Sequence, residues 1–277
     1  MRVAIVQYAP EYLQVEANLH RVEALIHGLS TDVVVLPELF ASGYFFRSSQ
    51  DAHAVAEPIP EGRTTQRMLQ WAKHLQATIV GGLPEKAQDG YYNSAVVVTP
   101  EGIKGVYRKV HLYYEEKLHF KPGQSGFPVF ECITTQGTRY RLGVMICFDW
   151  YFPEAARTLA LCGADLIAHP SNLVRKDCPR AMPIRALENH VYTATANRTG
   201  QESKGKETLR FIGQSLLCDP SGEILTQASP TETVVLEATI DPQSARNRQI
   251  TPYNDLFADR NPATYRCIQG DFLSRKS

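Results

Sequence analysis

Three side chains in this sequence of 277 residues stand where an apolar run gives way to a polar segment. Cys147 follows Leu142-Gly-Val-Met-Ile and precedes Phe148-Asp-Trp-Tyr-Phe-Pro153. A thiol at a strand-to-helix turn sees backbone N–H groups and the positive helix end, which lower a cysteine pKa from about 8.5 toward neutrality. That is the chemistry of a nucleophile; a cysteine packed in an apolar core is structural instead. Glu38 closes Asp32-Val-Val-Val-Leu-Pro, with Leu39, Phe40, Tyr44, Phe45 and Phe46 close behind. Carboxyls in apolar surroundings can act as base and then as acid near neutral pH. Lys109, in Tyr107-Arg-Lys-Val-His111, ends another apolar run. A fixed ammonium beside a reacting carbonyl would stabilise an oxyanion. Taken singly, each has a plain alternative: a structural cysteine, a solvated loop carboxylate, a surface lysine. A rival pairing sets Cys147 against a histidine for papain-like acyl transfer. Of His111, His119, His169 and His190, His169 fits best, because Ile167-Ala-His-Pro-Ser-Asn172 places it at a strand end. The cysteine lacks that mechanism's local context, so His169 is read as a packed, hydrogen-bonded neighbour.

These groups need strands to carry them. Apolar, β-rich runs lie at residues 3–6, 32–36, 78–82, 94–99 and 102–107, and then at 140–146, 164–169, 191–196, 213–218, 223–226 and 233–240. Many lack strict alternation, as strands covered on both faces do. Helices are expected between them. Residues 16–29 set Leu19, Val22, Leu25, Ile26 and Leu29 on one face, and residues 64–75 do the same with Met68, Leu69, Ala72 and Leu75. Pro153 suits a first helical position, ahead of a stripe of Ala155, Ala156, Leu159 and Ala160. Ser94-Ala-Val-Val-Val-Thr-Pro-Glu-Gly and Ser215-Leu-Leu-Cys-Asp-Pro-Ser-Gly-Glu read as two hairpins half a chain apart, each preceded by a strand–helix–strand stretch. The expected fold is α/β: two similar halves, two sheets, helices outside. No linker separates the halves at Gly137, so one domain is expected over residues 1–277, with a core to about 260 and a tail over 261–277.

Composition narrows the function. The 29 basic and 29 acidic residues cancel, leaving no global field to attract nucleic acid or an anionic membrane. No apolar run has the length of a membrane span. Strand patterning begins at Arg2, so no signal peptide is expected. The six cysteines, Cys132, Cys147, Cys162, Cys178, Cys218 and Cys267, form no CxxC pair, so no zinc site is expected. Reduced thiols in the cytoplasm are the default for such a chain.

The three positions together resemble the nitrilase, or carbon–nitrogen hydrolase, superfamily. Val34-Val-Leu-Pro-Glu38-Leu-Phe, Tyr107-Arg-Lys109-Val-His-Leu and Gly143-Val-Met-Ile-Cys147-Phe-Asp-Trp-Tyr-Phe-Pro-Glu154-Ala-Ala-Arg157 carry the family's Glu, Lys and Cys blocks in the family's order. Tyr92-Asn-Ser-Ala, Phe120-Lys-Pro-Gly123, His169-Pro-Ser-Asn172 and Arg185-Ala-Leu-Glu-Asn189 match flanking segments. The resemblance runs from Val3 to about Asp259. It implies a four-layer α-β-β-α sandwich, assembly as a homodimer or higher homo-oligomer, and a Glu38–Lys109–Cys147 triad that needs no metal or organic cofactor. It also implies a second glutamate between the lysine and the cysteine. Glu116 matches by its place in the block, with Glu115 the alternative.

The implied reaction is hydrolysis of a small non-peptide amide to acid and ammonia through a cysteine thioester. Glu38 acts as base and acid, and Lys109 and the backbone N–H of Phe148 hold the oxyanion. The alternatives are a nitrilase for small aliphatic nitriles, an N-carbamoyl amine hydrolase of the carbamoylputrescine kind, or a non-catalytic binding protein of the family. Trp150 and Tyr151 occupy the positions where some branches carry a carboxylate-gripping arginine pair. The segment after Cys147 resembles archaeal-type nitrilase/amidase proteins and N-carbamoylputrescine amidohydrolases. An aromatic rim of Tyr44, Phe45, Tyr113, Tyr114, Trp150 and Tyr151 suits a small, largely neutral substrate. Asn172 is expected to face the pocket, and Arg175 and Lys176 to face solvent.

Overall fold

The computed structural model describes residues 1–265 and residue 268. Cys267 and most of the expected tail lie outside the described residues. The chain divides into a large unit, Met1–Arg246, and a short C-terminal unit that begins at Asn247. Within the first half run β1 (Arg2–Gln7), α1 (Val15–Ile26), β2 (Val33–Val35), α2 (Ser49–Ala54), α3 (Arg63–Leu75), β3 (Thr78–Ala87), β4 (Gly90–Thr99), β5 (Gly102–Arg108) and the short α4 (Glu116–His119). The second half holds β6 (Val129–Ile133), β7 (Arg139–Val144), a 3₁₀ turn (Cys147–Tyr151), α5 (Pro153–Leu161), β8 (Leu166–Pro170), α6 (Cys178–Asn189), β9 (Tyr192–Ala196), β10 (Gln201–Lys204), β11 (Glu207–Arg210), β12 (Leu216–Cys218), β13 (Ile224–Gln227) and β14 (Val234–Thr239). The C-terminal unit contains the two short strands β15 (Gln249–Thr251) and β16 (Asn254–Asp255).

Two six-stranded sheets result, ordered β14-β1-β2-β3-β4-β5 and β13-β12-β9-β8-β7-β6. The halves repeat one plan. β1, β2 and β3 pair in parallel, as do β7, β8 and β9. Antiparallel hairpins follow in each, β3–β4–β5 and β9–β12–β13. An antiparallel edge strand completes each sheet, β14 beside β1 and β6 beside β7. The sheets stack face to face, with β1 against β9 and β2 and β3 against β8. α1 and α3 cover the first sheet, and α5 and α6 the second. Val33, Val34 and Val35 are therefore buried on both faces, which explains their uninterrupted apolar run. This is the expected α-β-β-α layering, and both hairpins of the repeat are present.

The boundaries differ from the reading in understandable ways. α1 ends at Ile26 rather than residue 29, because Gly28 turns the chain with φ of 76°. α6 carries Pro179 and Pro183 and a weak apolar stripe, which hid it. β10 and β11 form a polar hairpin, mostly exposed apart from the buried Glu202, without apolar alternation. Among the described residues no helix is long and apolar enough to cross a membrane.

Candidate active site

The parallel strands end on one side of the sandwich, and the polar residues just past those ends converge there. Glu38 follows β2 and is fully buried. Its position depends on a close approach by β3: a Cβ on Gly82 would lie 2.8 Å from Glu38 Cα and 2.7 Å from Leu39 N. Lys109 follows β5 and is also fully buried. Its Nζ donates to Glu38 Oε1 and to Glu116 Oε1, each at 2.7 Å. Asn93 of β4 donates Nδ2–H to Glu38 Oε1 at 2.7 Å, and the Tyr44 hydroxyl donates to Glu116 Oε1 at 2.7 Å. Burial alone would pull the ammonium of Lys109 down, but the charges of Glu116 and Glu38 override it and hold the group above the ordinary lysine range. Burial pushes Glu116 up to about 7, against the opposing pull of Lys109. Glu116, not Glu115, enters this cluster. Glu115 turns away to Lys204, 2.7 Å from its Nζ.

Cys147 opens the 3₁₀ turn after β7 with φ of 41°, a left-handed conformation that costs a non-glycine residue about 1–2 kcal/mol. Asp149 holds the turn. Its buried carboxylate accepts from Ile146 N–H at 2.8 Å, from the Tyr107 hydroxyl at 2.7 Å and from His111 N–H at 3.2 Å. Tyr107 and His111 flank Lys109, so one carboxylate ties the cysteine turn to the lysine segment. From β8's end, Asn172 donates Nδ2–H to the Glu38 carbonyl at 2.9 Å. The expectation of a lowered thiol pKa is corrected here: burial, together with the negative charge of Glu38, pushes Cys147 well above the usual range. Lys109 and the backbone N–H of Asn172 only partly oppose this. The thiol therefore needs a base to take its proton.

His169 is not that base. Its Nε2 lies 2.9 Å from the Cys147 carbonyl and its Nδ1 lies 3.0 Å from Thr195 Oγ1. Burial holds its pKa down at about 4, so the ring is neutral. A carbonyl only accepts, which assigns the proton to Nε2 and makes Nδ1 the acceptor from Thr195. His169 thus fixes the nucleophile's backbone, as its packed reading implied. A depressed folded pKa gives stability that is full above the ordinary value of 6.5 and is lost as pH falls through about 4. The shift corresponds to about 3 kcal/mol. Urea unfolding between pH 7 and pH 4 is expected to show wild type losing about that much more stability than His169→Gln; equal losses would contradict this role.

The chain matches the family described as Carbon-nitrogen hydrolase over residues 2–249. It belongs to that family. It is a hydrolase acting on carbon–nitrogen bonds, of the nitrilase superfamily. It is 49% identical to a protein of Pyrococcus abyssi named nitrilase, over 96% of this chain and 99% of the other. It is 32% identical to the N-carbamoylputrescine amidase of Solanum lycopersicum, over 92% and 90% of the two chains. A nitrilase-superfamily amidase from Nesterenkonia AN1, crystallised as a cysteine-to-alanine mutant, superposes with a TM-score of 0.79 at 26% identity, covering 97% of each chain. Another structure of that amidase shows covalent addition of the acetamide moiety of fluoroacetamide at its active-site cysteine.

In this carbon–nitrogen hydrolase, Cys147, Phe148, Trp150, Asn172, Tyr113, Leu173, Val174 and Arg175 line one cavity. Arg175 and Lys176 are exposed, as expected; Arg175 also borders the cavity while its guanidinium pairs with Asp177 at 2.7 Å. Tyr44, Phe45, Tyr114, Glu115, Glu116, Phe46 and His119 line a second. Tyr114 is half exposed, and its hydroxyl reaches Glu207 at 3.3 Å. Tyr151 is half exposed and is not among the residues lining either cavity. Asn93, Asp149 and Thr195 were missed as site residues. Asn93 stood in the Tyr92-Asn-Ser-Ala string, so its signal was present. Asp149 and Thr195 gain their partners only through the fold. Among the described residues no three His, Cys, Asp or Glu side chains are grouped to hold a metal ion.

Proposed function

We propose that the chain hydrolyses a small amide to its acid and ammonia through a thioester on Cys147. The observation that carries this reading is a single buried ammonium, Lys109 Nζ, bonded at 2.7 Å to each of two carboxylates beside a buried cysteine. Oε1 of Glu38 already accepts from Lys109 and Asn93, whereas Oε2 has no hydrogen-bond partner among the described residues. Oε2 is thus the oxygen left to take the thiol proton. The thiolate attacks the amide carbon, and the carbonyl electrons move onto oxygen. Lys109 and the N–H of Phe148, in a turn whose first N–H groups lack internal acceptors, hold that oxyanion. Each such donor lowers the barrier by about 3–4 kcal/mol. Protonated Glu38 gives its proton to nitrogen, the C–N bond breaks and ammonia leaves. Glu38 then takes a proton from water, the hydroxide attacks the thioester and the C–S bond breaks. The acid departs, and the proton on Glu38 returns to sulfur. Glu116 orients Lys109 or the substrate nitrogen. Every bond change balances with these side chains and one water, so the proposal includes no cofactor. The aromatic and aliphatic wall of Tyr113, Phe148, Trp150, Leu173 and Val174 suits a small, largely uncharged acyl group.

A nitrile is the second reading, favoured by the name of the Pyrococcus abyssi relative. The test is ammonia release from a panel of small amides, nitriles and N-carbamoyl amines. Amides are expected to give the highest kcat/KM, and Glu38→Gln to reduce kcat by about 10²–10⁴-fold. Preference for nitriles or N-carbamoyl amines would overturn the substrate reading, and an unchanged rate in Glu38→Gln would remove the base.

A further inference from the structure

The β10–β11 hairpin reaches, through three side chains, the two segments that carry Tyr44 and Glu116. Glu202 accepts from the backbone N–H groups of Tyr44 and Phe45, at 3.0 and 2.6 Å. Lys204 pairs with Glu115, next to Glu116, and Glu207 accepts from Tyr114. Glu202 is itself held by Arg198, whose side chain is almost wholly buried. Arg198 also donates to the carbonyls of Pro10 and Thr199, each at 3.3 Å, and lies 3.9 Å over the ring of Phe211. Phe211 in turn meets the Tyr44 ring edge-on at 6.0 Å. Arg198 therefore controls Tyr44 twice, through Glu202 at its backbone and through Phe211 at its ring. The fit is close: a Cβ on Gly43 would lie 2.8 Å from Glu202 Oε1.

Buried ion pairs give little net stability over apolar packing, so stability alone is a poor account of this one. What the pair supplies is direction. We propose that Arg198 and Glu202 are positioning residues for the hydrolase reaction: they fix residues 43–46 so that the Tyr44 hydroxyl holds Glu116 against Lys109. The proposal rests on the reading of Glu116 given above. Two consequences separate it from a merely structural role. The loss falls on kcat rather than KM, because the pair touches no substrate. The losses from Glu202 and Tyr44 also do not multiply, because both act on one bond.

The experiment is a double-mutant cycle of Glu202→Gln and Tyr44→Phe on ammonia release from the best amide of the panel, with thermal melts confirming folded protein. Each single variant is expected to lower kcat about 10-fold, with KM changed less than about 2-fold, and the double variant to lose no more than either. Multiplying losses, an unchanged kcat, or a change confined to KM would overturn the proposal. If Glu202→Gln does not fold, Phe211→Leu replaces it in the same cycle with the same expectation. Glu116→Gln is assayed alongside. An unchanged kcat there refutes the role of Glu116 itself. A fall there with no effect from Tyr44→Phe and Glu202→Gln refutes the positioning alone.

Discussion

Replacing Cys147 by alanine is expected to abolish ammonia release, by roughly 10⁵-fold or more, while leaving the fold intact. The thiol follows β7 on a left-handed residue at the head of a short turn. Neither the turn nor its anchors depends on the sulfur. Asp149 binds the turn through Ile146 N–H, and His169 binds the carbonyl of residue 147. An alanine keeps both bonds, so circular dichroism and the melting temperature should stay close to wild type. The measurement is kcat for ammonia release paired with a thermal melt. Retained turnover in folded protein would contradict the mechanism.

Lys109→Met is the second large effect. Methionine fills a similar volume and carries no charge. Catalysis loses one oxyanion donor, about 10²–10³-fold in kcat. The variant also brings two buried carboxylates, Glu38 and Glu116, together without the cation that both contact. Lys109 is what pulls Glu116 down toward 7, so its removal pushes Glu116 higher and keeps it protonated at neutral pH. The sign for stability follows. An acid whose folded pKa is raised above 4.5 loses stability as pH climbs through that folded value. The variant's deficit should therefore be small near pH 5 and grow above pH 7, toward the roughly 3–5 kcal/mol of a broken buried pair. Urea unfolding at several pH values checks this. A pH-independent deficit, or a near-normal kcat, would remove Lys109 from the role.

The layering was legible because it is written in local patterns. Uninterrupted runs such as residues 32–36 announce strands covered on both faces, and the two Pro/Gly hairpins mark the repeat of one plan. The pairing of β14 with β1 was not legible, since register across more than two hundred residues depends on the folded sheet. The site divides along the same line. Glu38, Lys109 and Cys147 each end an apolar run, so their placement could be read singly and the family resemblance joined them. The resemblance favoured Glu116 but left Glu115 open; the fold turns Glu116 to Lys109 and Glu115 to Lys204. The thiol's raised pKa was also hidden. The reading weighed the turn's N–H groups and missed that Cys147 is buried beside a carboxylate. Arg198 and Glu202 lie in a polar stretch whose meaning comes from what it touches.

The central claim is a covalent intermediate on one sulfur. Enzyme mixed with a slowly turned-over small amide, quenched in acid and digested, should yield the peptide containing Cys147 heavier by the substrate's acyl group. That adduct should be absent from Cys147→Ala and from every other cysteine peptide. Ammonia released in a pre-steady-state burst with no acyl group on Cys147, or with the label on another residue, would contradict the account.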